Sequence, residues 1–142
     1  MLRKKVYIIA LKGNTMLIVH KKNHRFDEWV FPGGGIKNGE SVKEAALREF
    51  TEETSASFEL LFVDSRPYEY LFEHPLKEDG TLYDGQTCVF VVGKFLGGKI
   101  TLEEKELNDF KFVTQPEAKE FLIFPKLYER TCAVLSKMSL PQ

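Results

Sequence analysis

Glu49, Glu52 and Glu53 stand at i, i+3 and i+4 in the run Arg48-Glu49-Phe50-Thr51-Glu52-Glu53. On a helix, that spacing sends all three carboxylates from one face. Like charges so placed repel, and Arg48 alone does not balance three of them. One reading is a solvated acidic face. The other is a site for a hard cation, because oxygen ligands favour Mg²⁺, Mn²⁺ or Ca²⁺ over zinc, and Mg²⁺ commonly shares its carboxylates with substrate phosphates. Gly33-Gly34-Gly35 lies just upstream and favours the second reading. Glycines let a backbone approach a ligand closely and turn amides or carbonyls toward it. A divalent ion held there would neutralise phosphate oxygens and acidify a bound water.

The full pattern is Gly34, five residues, Glu40, seven residues, then Arg48-Glu49-Phe50-Thr51-Glu52-Glu53. It resembles the Nudix box, and Trp29-Val30-Phe31-Pro32-Gly33 before it and Ser41 within it resemble that family's surroundings. The resemblance implies that Glu49, Glu52 and Glu53 bind Mg²⁺ or Mn²⁺ with a backbone carbonyl at Gly34, and that Glu40 and Arg48 orient those carboxylates. It leaves the general base open among Glu53, Glu52 and a later glutamate, for which Glu106 is the candidate. One departure stands out: the family pattern closes on a glycine and an aliphatic residue, where this chain has Ser55-Ala56. That glycine would serve at positive φ, so Ser55 implies a less favourable or differently built helix end.

The implied substrate is a nucleoside triphosphate or a dinucleoside polyphosphate. Gly85-Gln86, Glu106 before an aromatic strand, and Pro116-Glu117-Ala118 give a weaker likeness to the diadenosine tetraphosphate hydrolase and RNA pyrophosphohydrolase branch. Lys21, Lys22, His24 and Arg25 are candidates to meet a polyphosphate or to form a solvated basic loop. Trp29, Phe31, Tyr70 and Tyr83 either stack on a base or fill the core. Lys21, Arg25, Trp29 and Gln86 are taken forward as substrate-contact candidates. The alternative class is a silent nucleotide-sensing Nudix module, which commonly loses box carboxylates; none is missing here. A Nudix isomerase would need a catalytic cysteine, and Cys88 and Cys132 have no supporting context.

The elements that must position these groups are readable in part. Val6 to Leu11 and Met16 to Val19 form a hairpin around Lys12-Gly13-Asn14-Thr15. Lys21 to Asp27 reads as a polar loop. Ser41 caps a helix running to about Thr54, and Glu44 completes a capping box. Strands are expected at Phe58 to Ser65, Thr87 to Leu96 and Phe110 to Val113, with Arg66 to Gln86 forming a hairpin or a long loop. Short helices are expected from Pro116 to Glu120 and from Pro125 to about Ser136. The mixed order implies α+β or a three-layer α/β/α arrangement, and the family resemblance implies the Nudix fold, an α/β/α sandwich with a mixed sheet.

The 142 residues suit one domain over 1–142, and 20 basic against 21 acidic residues leave a net charge of −1. Such a balance excludes an extended, strongly basic nucleic-acid surface. It does not exclude a small nucleotide, since the charges are segregated: acids crowd the box while Lys21, Lys22 and Arg25 precede it. The two cysteines match neither a zinc spacing nor a disulfide framework, and the apolar run Val6 to Leu11 is too short to span a membrane or form a signal core. A cytoplasmic monomer or homodimer acting on a small molecule, with no membrane partner, is the expectation.

Overall fold

The computed structural model describes residues 1–138, so residues 139–142 of the expected domain lie outside the description. Its elements in order are β1 (Leu2–Lys12), β2 (Thr15–Lys21), β3 (Gly33–Gly35), α1 (Val42–Thr54), β4 (Phe58–Glu78), β5 (Thr81–Phe95), β6 (Leu107–Thr114), α2 (Gln115–Ala118) and α3 (Leu127–Met138). The sheet runs β4-β5-β1-β2-β6, with β3 paired to β1 beside that path. Only the β1–β5 pair is parallel; the other named pairs are antiparallel.

Alternation along β1 divides the core. Val6, Ile8 and Ala10 face α1 and pack with Ala45, Ala46 and Phe50. Tyr7 and Ile9 face the other way and pack with Leu122, Leu127 and Val134. Helices therefore cover both faces of a mixed sheet, which is the α/β/α arrangement.

The split between β1 and β2 places the site. These strands pair only at their turn, Leu11 with Met16 and Lys12 with Thr15, and then diverge. Residues 30–35 wedge into the opening. Val30 bridges to Val19 of β2, the Ile8 amide donates to Pro32 O at 2.8 Å, and Gly33–Gly35 pair with Lys5–Tyr7 of β1. The triglycine is thus a short strand rather than a free loop. A side chain at Gly33 would place its Cβ 2.0 Å from the Val6 carbonyl oxygen, so the close pairing requires glycine there.

The Arg66–Gln86 segment is the body of one long hairpin, β4 against β5. Its turn, Asp79-Gly80, has φ of 49° and 78°, the doubly positive geometry suited to a tight hairpin. The ladder breaks between Asp64 and Tyr68 and between Leu71 and Leu76, and Pro67 and Pro75 fall inside those breaks. β4 is an edge strand, so the amides that proline lacks are not missed by a neighbour.

Candidate active site

The capping box of α1 is formed as expected: the Glu44 amide donates to Ser41 Oγ at 3.1 Å, and Glu44 Oε1 accepts from the Ser41 amide at 2.9 Å. Ser55 terminates the helix with φ 59°, its amide donating to Thr51 O at 2.9 Å. A serine therefore adopts the left-handed conformation in which glycine is unstrained, costing about 1–2 kcal/mol.

Arg48 organises the box. It grips Glu40 through both carboxylate oxygens, at 2.6 and 2.8 Å, and donates to Gly35 O at 3.0 Å. Its remaining reach goes to Glu49 at 2.9 Å and Glu52 at 3.4 Å. The Arg48 hydrogen bonds, with the Lys37 amide second, hold the Glu40 carboxyl down at about 2. This fork ties the turn before the helix to the helix itself.

Glu53 is different. It is 1% exposed. One oxygen accepts from the Gly33 amide at 2.9 Å, while the other, Oε2, is buried with no hydrogen-bond partner. Burial raises this carboxyl from an ordinary 4.5 to about 7, against the opposing pull of Lys21 and the Gly33 amide.

Gly34 serves through the side chain it lacks. A Cβ there would lie 2.4 Å from Glu49 Cδ and 2.5 Å from each carboxylate oxygen. Its carbonyl does not match the role implied by the resemblance. Pro32 O accepts from β1 and the Ile36 amide donates to Lys4, so alternation directs Gly34's backbone groups toward β1. Gly33 O and Gly35 O face away from it, toward Lys21 and Arg48 respectively. Gly33 therefore supplies the carbonyl beside Glu53.

Lys21 lies at the end of β2 rather than in a loop. Its Nζ donates to Gly33 O at 3.2 Å and sits 3.7 Å from Glu53 Oε2, so a cation already stands between these two oxygens. Among the described residues, no three His, Cys, Asp or Glu side chains converge as a ready metal cage. The donors nevertheless suit a hard divalent ion: carboxylates, a backbone carbonyl, and a buried carboxylate oxygen left unpartnered beside a stand-in ammonium. In this structure Arg48 and Lys21 hold those donors.

The cleft beside them has a volume of about 530 Å³. Glu49, Gly33, Gly34, Lys21 and Glu106 line it, and the Lys22 amide binds Glu106 O at 2.8 Å. Gln86 also lines it, but its amide is used in accepting from Arg3 at 3.2 Å and donating to Tyr70. Two substrate candidates fall outside. Arg25 projects into solvent, 75% exposed and 3.7 Å from Asp27, although Lys22, Asn23 and His24 just before it line the cleft. Trp29 is buried between His20 and Phe121, with ring centroids at 5.5 and 5.7 Å; its ring fills the core and has no face for a base. Phe31 is likewise core.

Sequence reasoning missed Arg3 and Lys5, which line the cleft from β1. Burial, and then repulsion by Lys21, lowers Lys5 to about 7. The available signal was their period-2 register with Tyr7 and Ile9, which puts all four on one face of the strand. Phe72, Leu76 and Glu78 reach the cleft from β4.

A NUDIX domain matches residues 1–131, and the chain belongs to the Nudix family. Its class is that of the pyrophosphohydrolases, which open a P–O–P bond in nucleotide-linked compounds. The RNA pyrophosphohydrolase of a Nitratiruptor species is 38% identical over 104 residues, 70% of this chain and 67% of that protein. That of Erythrobacter litoralis is 34% identical over 107 residues, 68% of this chain and 65% of that one. The chain thus spans about two thirds of the length of these curated relatives. The crystal structure of a C. elegans Ap4A hydrolase binary complex superposes with a TM-score of 0.69 at 17% identity, covering 96% of this chain and 99% of that one. That likeness shows the fold. Among the described residues, no helix is long and apolar enough to cross a membrane.

Proposed function

We propose that this chain hydrolyses a nucleoside triphosphate, a dinucleoside polyphosphate or the 5′-phosphorylated end of an RNA, with Mg²⁺ or Mn²⁺ as its metal. The observation that carries this is Glu53: a carboxylate sealed from water, with one oxygen unpartnered beside a carbonyl and a cation. Glu49, Glu52, Glu53 and the Gly33 carbonyl would hold the ion. When bound, a divalent ion supplies charge neutralisation for phosphate oxygens and a more acidic water.

The protein's own groups supply the rest. Arg48 fixes Glu40, Glu49 and Glu52 in one fork, so these carboxylates are oriented before substrate arrives. Burial raises Glu53 to about 7 while no ion is bound, and an ion held at its free oxygen would favour the charged form, so Glu53 serves as ligand. Glu52 and Glu106 are the candidates to accept the proton, the first half exposed and paired with Arg48, the second exposed and lining the cleft. The cleft's volume lies in the range that suits one nucleotide. The name of the identified relatives favours an RNA end, and two free cysteines suit a cytoplasmic setting.

The test is a panel of these substrates with Mg²⁺, Mn²⁺ or EDTA, run in ¹⁸O-labelled water with the products identified. Metal-dependent release with label on one phosphorus is expected. No release from any compound with either ion sinks the proposal.

A further inference from the structure

Glu49 and the glycines form one wall of the cleft, and β1 contributes another. Arg3, Lys5 and Tyr7 share a face of that strand. Arg3 is already engaged, donating to Gln86 at 3.2 Å and lying 3.4 Å from Glu78. Lys5 is not. It is 6% exposed and lines the cleft, yet among the described residues its ammonium has no hydrogen-bond acceptor and no carboxylate at ion-pair distance. Its contact is the Tyr7 ring, whose centroid lies 4.9 Å from Nζ.

The stem is buried while Nζ keeps access to the cleft, and a neutral aromatic face gives it no hydrogen-bond acceptor. Lys21 and Arg3 add like charge, against the weaker attraction of Glu53. An apolar residue would fill this position in a strand at lower cost. A ligand that fits must accept hydrogen bonds and spread negative charge over several oxygens, so that it answers Lys5 and Lys21 together. A phosphate group does both. A single carboxylate carries less charge and fewer acceptor sites.

Resting on the hydrolase reading above, we propose that Lys5 is a substrate-binding residue that donates through Nζ to a non-bridging oxygen of a phosphate in the substrate's polyphosphate chain. It acts from the β1 wall and takes no part in the proton transfer. Its effect is therefore on binding rather than on turnover.

Lys5→Met keeps the stem and removes the charge, so its thermal midpoint should equal or exceed that of the parent. The probe is inorganic pyrophosphate, titrated calorimetrically in EDTA. Loss of one charge-assisted hydrogen bond predicts about 10- to 100-fold weaker binding. Lys4→Met makes the same charge change on the exposed, opposite face of β1 and should bind like the parent. With Mg²⁺ and a turned-over substrate, Lys5→Met should raise KM by a similar factor and leave kcat within about threefold. Lys5→Gln provides the same readings if the methionine variant folds poorly. Equal pyrophosphate affinity in parent and variant overturns the assignment, as does an equal loss in Lys4→Met. If pyrophosphate binding depends on Lys5 while no compound is hydrolysed, the phosphate contact stands and the hydrolase reading falls.

Discussion

Gly34→Ala isolates the geometry of the box from its chemistry. The new methyl would sit 2.4 Å from Glu49 Cδ, whereas carbon atoms at rest stand about 3.5–4.0 Å apart. The Glu49 carboxylate must therefore retreat by roughly 1 Å or more, and its 2.9 Å contact with Arg48 stretches with it. Because the obstructed atoms end a flexible side chain, the fold yields there easily. Gly34 lies in a strand without positive φ, so alanine also removes backbone freedom from the unfolded chain, a gain of about 0.5–1 kcal/mol. Activity should respond in the opposite sense. A displacement of about 1 Å at a catalytic group costs on the order of 100-fold, or about 3 kcal/mol in the barrier. Urea denaturation and kcat/KM at saturating metal measure the two effects. The cycle with Glu49→Ala is decisive, since without that carboxylate the methyl has nothing to displace, and Gly34→Ala should then cost no further activity. A full 100-fold loss in the Glu49→Ala background would refute the reasoning.

Further outcomes follow from the same contacts. Glu53→Gln should abolish turnover, yet stabilise the metal-free protein at alkaline pH. The native carboxyl near 7 against an ordinary 4.5 makes the parent lose about 3 kcal/mol as pH rises through that window. Denaturation in EDTA at pH 4.5 and 8 should show the gap between variant and parent opening with pH, and a constant gap would contradict it. Ser55→Gly should raise stability by about 1 kcal/mol with activity unchanged, as read from the urea midpoint. Arg25→Ala should leave KM within about twofold, since that side chain lies outside the cleft; a large rise in KM would return it to the site.

What the sequence made legible was local. Helix α1 was readable because Ser41 and Glu44 cap it within four residues and its carboxylates repeat at helical spacing. The triglycine strand was not, because Gly33–Gly35 has no strand propensity of its own. Its conformation is imposed by the divergence of β1 from β2, a tertiary event. The same event turns Gly34's carbonyl toward β1 and makes Gly33 the residue beside Glu53. Trp29 and Arg25 were misplaced for a related reason: in an irregular segment, residue type does not tell which side chain turns inward. The β4–β5 hairpin carried its own mark in Asp79-Gly80, obscured by prolines that an edge strand tolerates.

The long hairpin divides the cleft by ancestry as well as by position. Glu49 and the three glycines arise from α1 and β3, adjacent in the chain, whereas Phe72, Leu76, Glu78 and Gln86 arrive from β4 and β5. Substitutions along the hairpin can therefore accumulate without disturbing Arg48, Gly34 or Glu53. Changes in the hairpin can reshape what the cleft admits while the box keeps its contacts. One short contiguous segment thus carries the Arg48 fork and the glycines, and a separate segment builds the facing wall of the cleft.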